Sequence, residues 1–281
     1  MKMCLKQSLG SLLMLGAVAV LTGTPASAQD KLMTYGVDIV SDYVSRGQDL
    51  YLRTLTRDAK EHTSTHVEPA VQPSVTFFAP NGLSLNLWGS FATGNRADDT
   101  VKDFTGLGRD DEIDYTLAFD WSNKLGAFTA ALIYYTYTHP CYGCATVTEK
   151  LSGIAVQPDA MVKWVMPFAK AISPYVQHYA NPLPGASYSV LGMSGGEAVP
   201  WALSVGAVHE GVKDVTGKVG YVLGSFTVAA NVAYRPNPAL VGPYNRDGKY
   251  IPDTTKPDVV KDYPPAIFWL TFSYGGEVSA K

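Results

Sequence analysis

From Glu112 to Trp121 the chain alternates for ten residues without a break. Ile113, Tyr115, Leu117, Phe119 and Trp121 fall on one side, and Glu112, Asp114, Thr116, Ala118 and Asp120 on the other. A period of two is that of a β-strand with one apolar and one polar face. Its length constrains the fold as much as its period, because about ten tilted residues cross the apolar thickness of a membrane. Eleven further segments repeat the pattern with varying clarity, at 33–46, 67–78, 82–93, 126–138, 159–168, 172–181, 186–194, 199–209, 216–223, 225–235 and 265–275. The chain therefore reads as all-β, with about twelve strands.

The links between these segments alternate in length. Those after odd strands span 47–66, 94–111, 139–158, 182–185, 210–215 and 236–264. Those after even strands are short, such as Ala79-Pro80-Asn81, Lys170-Ala171 and Ser225. A soluble sandwich gives no reason for that pattern. A transmembrane antiparallel up-and-down β-barrel does, with long outer loops, short periplasmic turns and an even strand number. Aromatic residues fall at both ends of the strands, as interfacial girdles require. Trp121, Phe128, Phe168, Trp201, Phe226 and Tyr274 would mark the periplasmic side, and Tyr43, Phe91, Tyr137, Tyr188, Tyr234 and Phe268 the outer side.

Composition and the N-terminus place the barrel in a compartment. Charged residues make up 17% of the chain against roughly 25% in soluble domains. Lys2 and Lys6 precede an apolar run from Leu12 to Leu21, and Thr24-Pro25-Ala26-Ser27-Ala28 supplies the small residues of a cleavage site. Residues 1–28 thus read as a secretory signal peptide, followed by one domain, 29–281. Cleavage leaves 20 basic against 25 acidic side chains, which excludes a general nucleic-acid binder.

The residues also carry a resemblance. Ser41-Asp42-Tyr43-Val44-Ser45-Arg46-Gly47 is similar to the S-D-Y-x-x-R-G motif that opens the TorF family of porins. Pro69-Ala70-Val71-Gln72, Gly82, Trp88-Gly89-Ser90, Glu112-Ile113-Asp114-Tyr115 and Tyr134-Tyr135-Thr136-Tyr137 follow in the family's order. The resemblance covers residues 33–138. It implies a Gram-negative outer-membrane β-barrel whose transported solute is not well defined; the chain as a whole reads as a porin passing small hydrophilic solutes passively, with the barrel-assembly machinery, outer-membrane lipid and lipopolysaccharide as its partners. The chain departs from it in the long stretch after Gly47 and in ending at Lys281 without a terminal aromatic.

Strand parity assigns the chemistry of the interior. A Lys or Arg facing lipid at mid-membrane costs about 2–4 kcal/mol, so charged side chains should turn inward. The pore-lining set is then Asp38, Asp42, Arg46, Glu68, Glu112, Asp114, Asp120 and Lys163, six acids against two bases. An acidic lumen predicts cation preference. The alternative is a plugged barrel with paired interior charges, in which Arg46 meets Glu68 on the adjacent strand. Cys141 and Cys144 fall in an outer loop, where a disulfide is the simplest reading, without the context of a redox or metal site. A lipid-cleaving barrel would need a Ser–His pair facing outward near the outer rim, and His178 has no partner visible in the sequence. No catalytic residue, metal or cofactor is implied. A non-conducting structural or surface-interaction barrel and a soluble periplasmic ligand-binding barrel are the competing readings.

Overall fold

The computed structural model describes residues 24–25, 31–46, 48–49, 69–93, 112–137, 155–167, 172–180, 187–237, 240 and 266–279. Twelve long strands account for most of them. They are β1 (Lys31–Val40), β2 (Ala70–Phe78), β3 (Leu83–Ala92), β4 (Glu112–Asn123), β5 (Gly126–Tyr137), β6 (Ala155–Val165), β7 (Ile172–Ala180), β8 (Ser187–Gly195), β9 (Trp201–Val208), β10 (Gly211–Leu223), β11 (Phe226–Tyr234) and β12 (Ala266–Ser279). Each pairs antiparallel with its neighbours in sequence, and β12 pairs back onto β1, with Tyr274 opposite Val37 and Phe272 opposite Ile39. The sheet is a closed twelve-stranded antiparallel barrel. Twelve strands about 4.8 Å apart and tilted by about 40° give a backbone diameter of roughly 24 Å.

All twelve expected segments are strands, with three instructive shifts. The first strand stops at Val40 instead of running to residue 46. The tenth starts at Gly211, so the link after β9 is only residues 209–210. The sixth starts at Ala155 and ends at Val165. At the end of the barrel that carries the short turns, β10 and β11 are joined by Gly224 and Ser225, and Gly224 adopts φ 64°, which a two-residue hairpin needs and glycine adopts without strain.

Closure sorts the side chains into two faces. Outward lie Tyr35, Ile39, Tyr115, Leu117, Leu132, Val162, Leu191, Leu203, Phe268, Leu270 and Phe272, all exposed. Inward lie polar pairs such as Gln72 with Ser90 (3.2 Å), Asn86 with Thr76 (2.8 Å) and Asn231 with Thr271 (3.0 Å). The molecule has its apolar surface on the outside, the reverse of a water-soluble domain. Near the short-turn end the rings of Phe119, Trp121, Phe128 and Trp164 form one stacked row, at successive separations of 5.7, 5.3 and 6.2 Å. Phe226 and Tyr274 continue that girdle 5.0 Å apart. The outer girdle is thinner than expected, because Tyr43 and Tyr188 face the interior. Tyr234 and Phe268 do face out. Phe168 lies outside the described residues.

Candidate functional site

The interior is organised by a segment that leaves the wall. Ser41 ends β1 by donating its N–H to the Leu270 carbonyl and accepting the Leu270 N–H on its Oγ, both at 2.9 Å. The next residues fold into the barrel. Asp42 is buried, and Tyr43 packs against Trp88 at 5.6 Å and donates its hydroxyl to Glu112 Oε2 at 2.8 Å. Val44 pairs with Asp49 and Ser45 with Gln48, so the chain reverses after Ser45. Arg46 has φ 50°, which a turn of this kind demands and few non-glycine residues adopt. The hairpin is a peg directed across the lumen: β1 borders β2 and β12, yet the partners of Arg46 stand on β5, β6, β7 and β8.

Those partners form a cage. Arg46 Nη2 lies 2.7 Å from Asp159 Oδ2 and 2.9 Å from the Tyr135 hydroxyl. The guanidinium carbon sits 4.4 Å from the centre of the Tyr179 ring, 5.4 Å from that of Tyr188 and 5.9 Å from that of Tyr135. The Asp159 carboxylate supplies the opposite charge that the enclosed guanidinium needs, and the Tyr135 hydroxyl accepts a further hydrogen bond from it. Arg46 reaches across to Asp159; Glu68, its expected partner on the adjacent strand, lies outside the described residues.

The cage walls have supports of their own. The Tyr188 hydroxyl donates to Asp214, at 2.9 Å from Oδ2 and 3.1 Å from Oδ1, and Thr216 adds a bond at 3.2 Å. Gln177 donates to the Tyr179 hydroxyl at 2.7 Å. Asp214 reaches this position through a β-bulge. Gly206 pairs with Asp214 and Ala207 with Val212, so Lys213 is the extra residue, and both Lys213 and Asp214 are buried. A bulge re-aims side chains in this way. Lys213 Nζ stands 5.8 Å from the Tyr188 ring.

The other candidates are placed as follows. Asp38 projects inward beside Gln72. Glu112 and Asp114 project inward next to one another on β4, near the outer end. Asp120 accepts a hydrogen bond from Thr129, which pairs in turn with Lys163, making a polar row near the short-turn end. Lys163 Nζ lies 4.8 Å from the Tyr175 ring. Cys141 and Cys144 lie outside the described residues. Asp42 and Arg46 are interior residues of the peg, not of a wall strand. Parity overlooked Asp159, Lys213, Asp214, Lys218 and Arg235. Among the described residues the interior holds seven acids (Asp38, Asp42, Glu112, Asp114, Asp120, Asp159, Asp214) and five bases (Arg46, Lys163, Lys213, Lys218, Arg235), a smaller imbalance than strand parity predicted. Lys218 shares the face of Thr216, a signal that the sequence did carry.

On the outer surface His178 has a partner after all. Its Nδ1 lies 2.9 Å from Ser189 Oγ, on the lipid-facing side near the outer rim. The side chains directly across from the pair and toward the membrane centre are Val162, Val176, Leu191 and Ala207. None of these four can orient the far ring nitrogen or donate to an oxyanion, so the two polar groups satisfy each other.

No protein-family model and no curated protein matches the chain. Among solved structures, the chain is similar to a doubly substituted porin of Rh. blastica, at 9% identity, with 88% of this chain and 99% of the other covered and a TM-score of 0.37. A triple mutant of the Rhodopseudomonas blastica porin gives 10% identity, the same coverage and a TM-score of 0.37. The outer membrane protease OmpT from Escherichia coli gives 8% identity, coverage of 89% and 94%, and a TM-score of 0.26. The barrel itself rests on the strand register.

Proposed function

We propose that this chain is an outer-membrane porin that passes small hydrophilic solutes passively and prefers cations. The observation that carries the reading is the pairing of an exposed apolar belt with a closed, polar, net-acidic interior. The resemblance of residues 41–47 to the TorF opening motif supports the same reading. A soluble ligand-binding barrel would leave Leu117, Leu132, Leu191 and Phe268 in water, with nothing to offset the exposed area.

The peg favours a second reading, a barrel whose lumen is closed and whose work is done at its surface. Single-channel recording of the refolded protein in a planar bilayer, under a KCl gradient, separates the two. The porin reading expects small steps with a reversal potential on the cation side, and larger steps for Arg46→Ala. Silence of both proteins, each folded and heat-modifiable, would establish the closed barrel. Anion preference would overturn the acidic-lumen assignment.

A further inference from the structure

Three tyrosines and one carboxylate, from the four consecutive strands β5 to β8, surround a single guanidinium. We propose that this cage of Tyr135, Tyr179, Tyr188 and Asp159 is a receptor for guanidinium-bearing solutes, and that Arg46 occupies it as a tethered ligand. The proposal rests on the reading of the interior as a solute path.

The chemistry selects the ligand class. A carboxylate and a tyrosine hydroxyl both lie within hydrogen-bond distance of the same nitrogen, Nη2. Ring faces at 4.4, 5.4 and 5.9 Å supply cation–π attraction to a flat, delocalised cation. A compact ammonium satisfies the carboxylate but does not stack.

The cage is also built to stand without its occupant. Tyr188 is held by Asp214, and Tyr179 by Gln177, neither of which needs Arg46. Room for the Tyr188–Asp214 contact exists because residue 206 is glycine: a Cβ there would lie 2.1 Å from the Tyr188 hydroxyl and 2.6 Å from Asp214 Oδ2. The bulge at Lys213 turns Asp214 toward that contact. Asp159, by contrast, is 2% exposed and finds its ion-pair partner in Arg46, whose side chain remains 30% exposed. The occupant is thus the accessible member of the pair, on a short hairpin with an uncommon backbone conformation. A tethered ligand competes at an effective concentration in the millimolar range, so a free solute is held off without being excluded.

The test is calorimetric titration of the refolded full barrel in detergent with agmatine, an alkylguanidinium, and with putrescine, the matching amine without the guanidinium. Arg46→Ala is expected to bind agmatine at least tenfold more tightly than the unaltered protein and tenfold more tightly than it binds putrescine. Adding Asp159→Asn to Arg46→Ala should abolish that gain. Arg46→Gln, a shorter, uncharged side chain that still donates hydrogen bonds, gives the same comparison if the alanine variant does not refold. Equal binding of agmatine and putrescine, or no gain in either variant, overturns the proposal. Because the titration needs no current, a silent barrel that still binds agmatine refutes the porin and leaves the cage standing. A conducting barrel whose variants bind no more tightly refutes the cage alone.

Discussion

At the scale of single residues, the interior depends on what is missing as much as on what is present. Gly206 marks a point where the Tyr188 hydroxyl and the Asp214 carboxylate need the volume of a side chain. Overfilling a packed site costs about 1–3 kcal/mol. Gly206→Ala should therefore lower the urea midpoint of the refolded barrel clearly. Gly217→Ala, whose added carbon meets only Val232 Cγ1 at 3.2 Å, should lower it much less. Equal losses would show that the Tyr188–Asp214 contact is not a fixed part of the interior. Ser41, Asp42, Tyr43 and Arg46 illustrate the converse, in which each residue of a short motif has a separate task. Ser41 detaches the chain from β12, Asp42 is buried, Tyr43 anchors on Trp88 and Glu112, and Arg46 closes the far contact.

At the scale of elements, the bulge in β10 is a local change with an electrostatic result. Removing Lys213 would make the Gly206–Asp214 and Ala207–Val212 pairs consecutive, so the register on both sides is retained. The barrel should fold and remain heat-modifiable. The loss of one interior cation should move the reversal potential further to the cation side, measured in the same KCl gradient. An unchanged potential would place Lys213 off the ion path. This bulge also shows why part of the site could not be read from the sequence. Alternation located every wall strand, because one lipid-facing side is apolar over its whole length. It placed residues 210–215 in a link, since Gly-Val-Lys-Asp breaks the period that the bulge itself interrupts. The peg was hidden for the opposite reason. Asp38, Asp42 and Arg46 keep an even spacing, so a strand continuing to residue 46 and a strand ending at Val40 look alike. The Ser189–His178 contact is a cross-strand pair, invisible until the register of β7 on β8 is known.

At the scale of the whole molecule, the outer face makes the firmest commitment. Leu191 lies at the middle of β8 and is 61% exposed. Leu191→Arg should cost about 2–4 kcal/mol in lipid vesicles, read from denaturant unfolding. Ser204→Arg, on the inward face of β9, should cost far less. If Leu191→Arg were as harmless as Ser204→Arg, the apolar belt would not border hydrocarbon.

The joint between β12 and β1 bears on how such a molecule is made. Tyr274 and Val37 are partners at opposite ends of the chain, so the ring cannot be completed until almost everything between them has been placed. Every earlier stage is an open sheet with two bare edges and an oily outer surface, and such non-local pairing is intrinsically slow. A newly made chain therefore spends its most vulnerable period unsealed. Its yield is set by what shelters those edges in the meantime, more than by the stability of the finished ring.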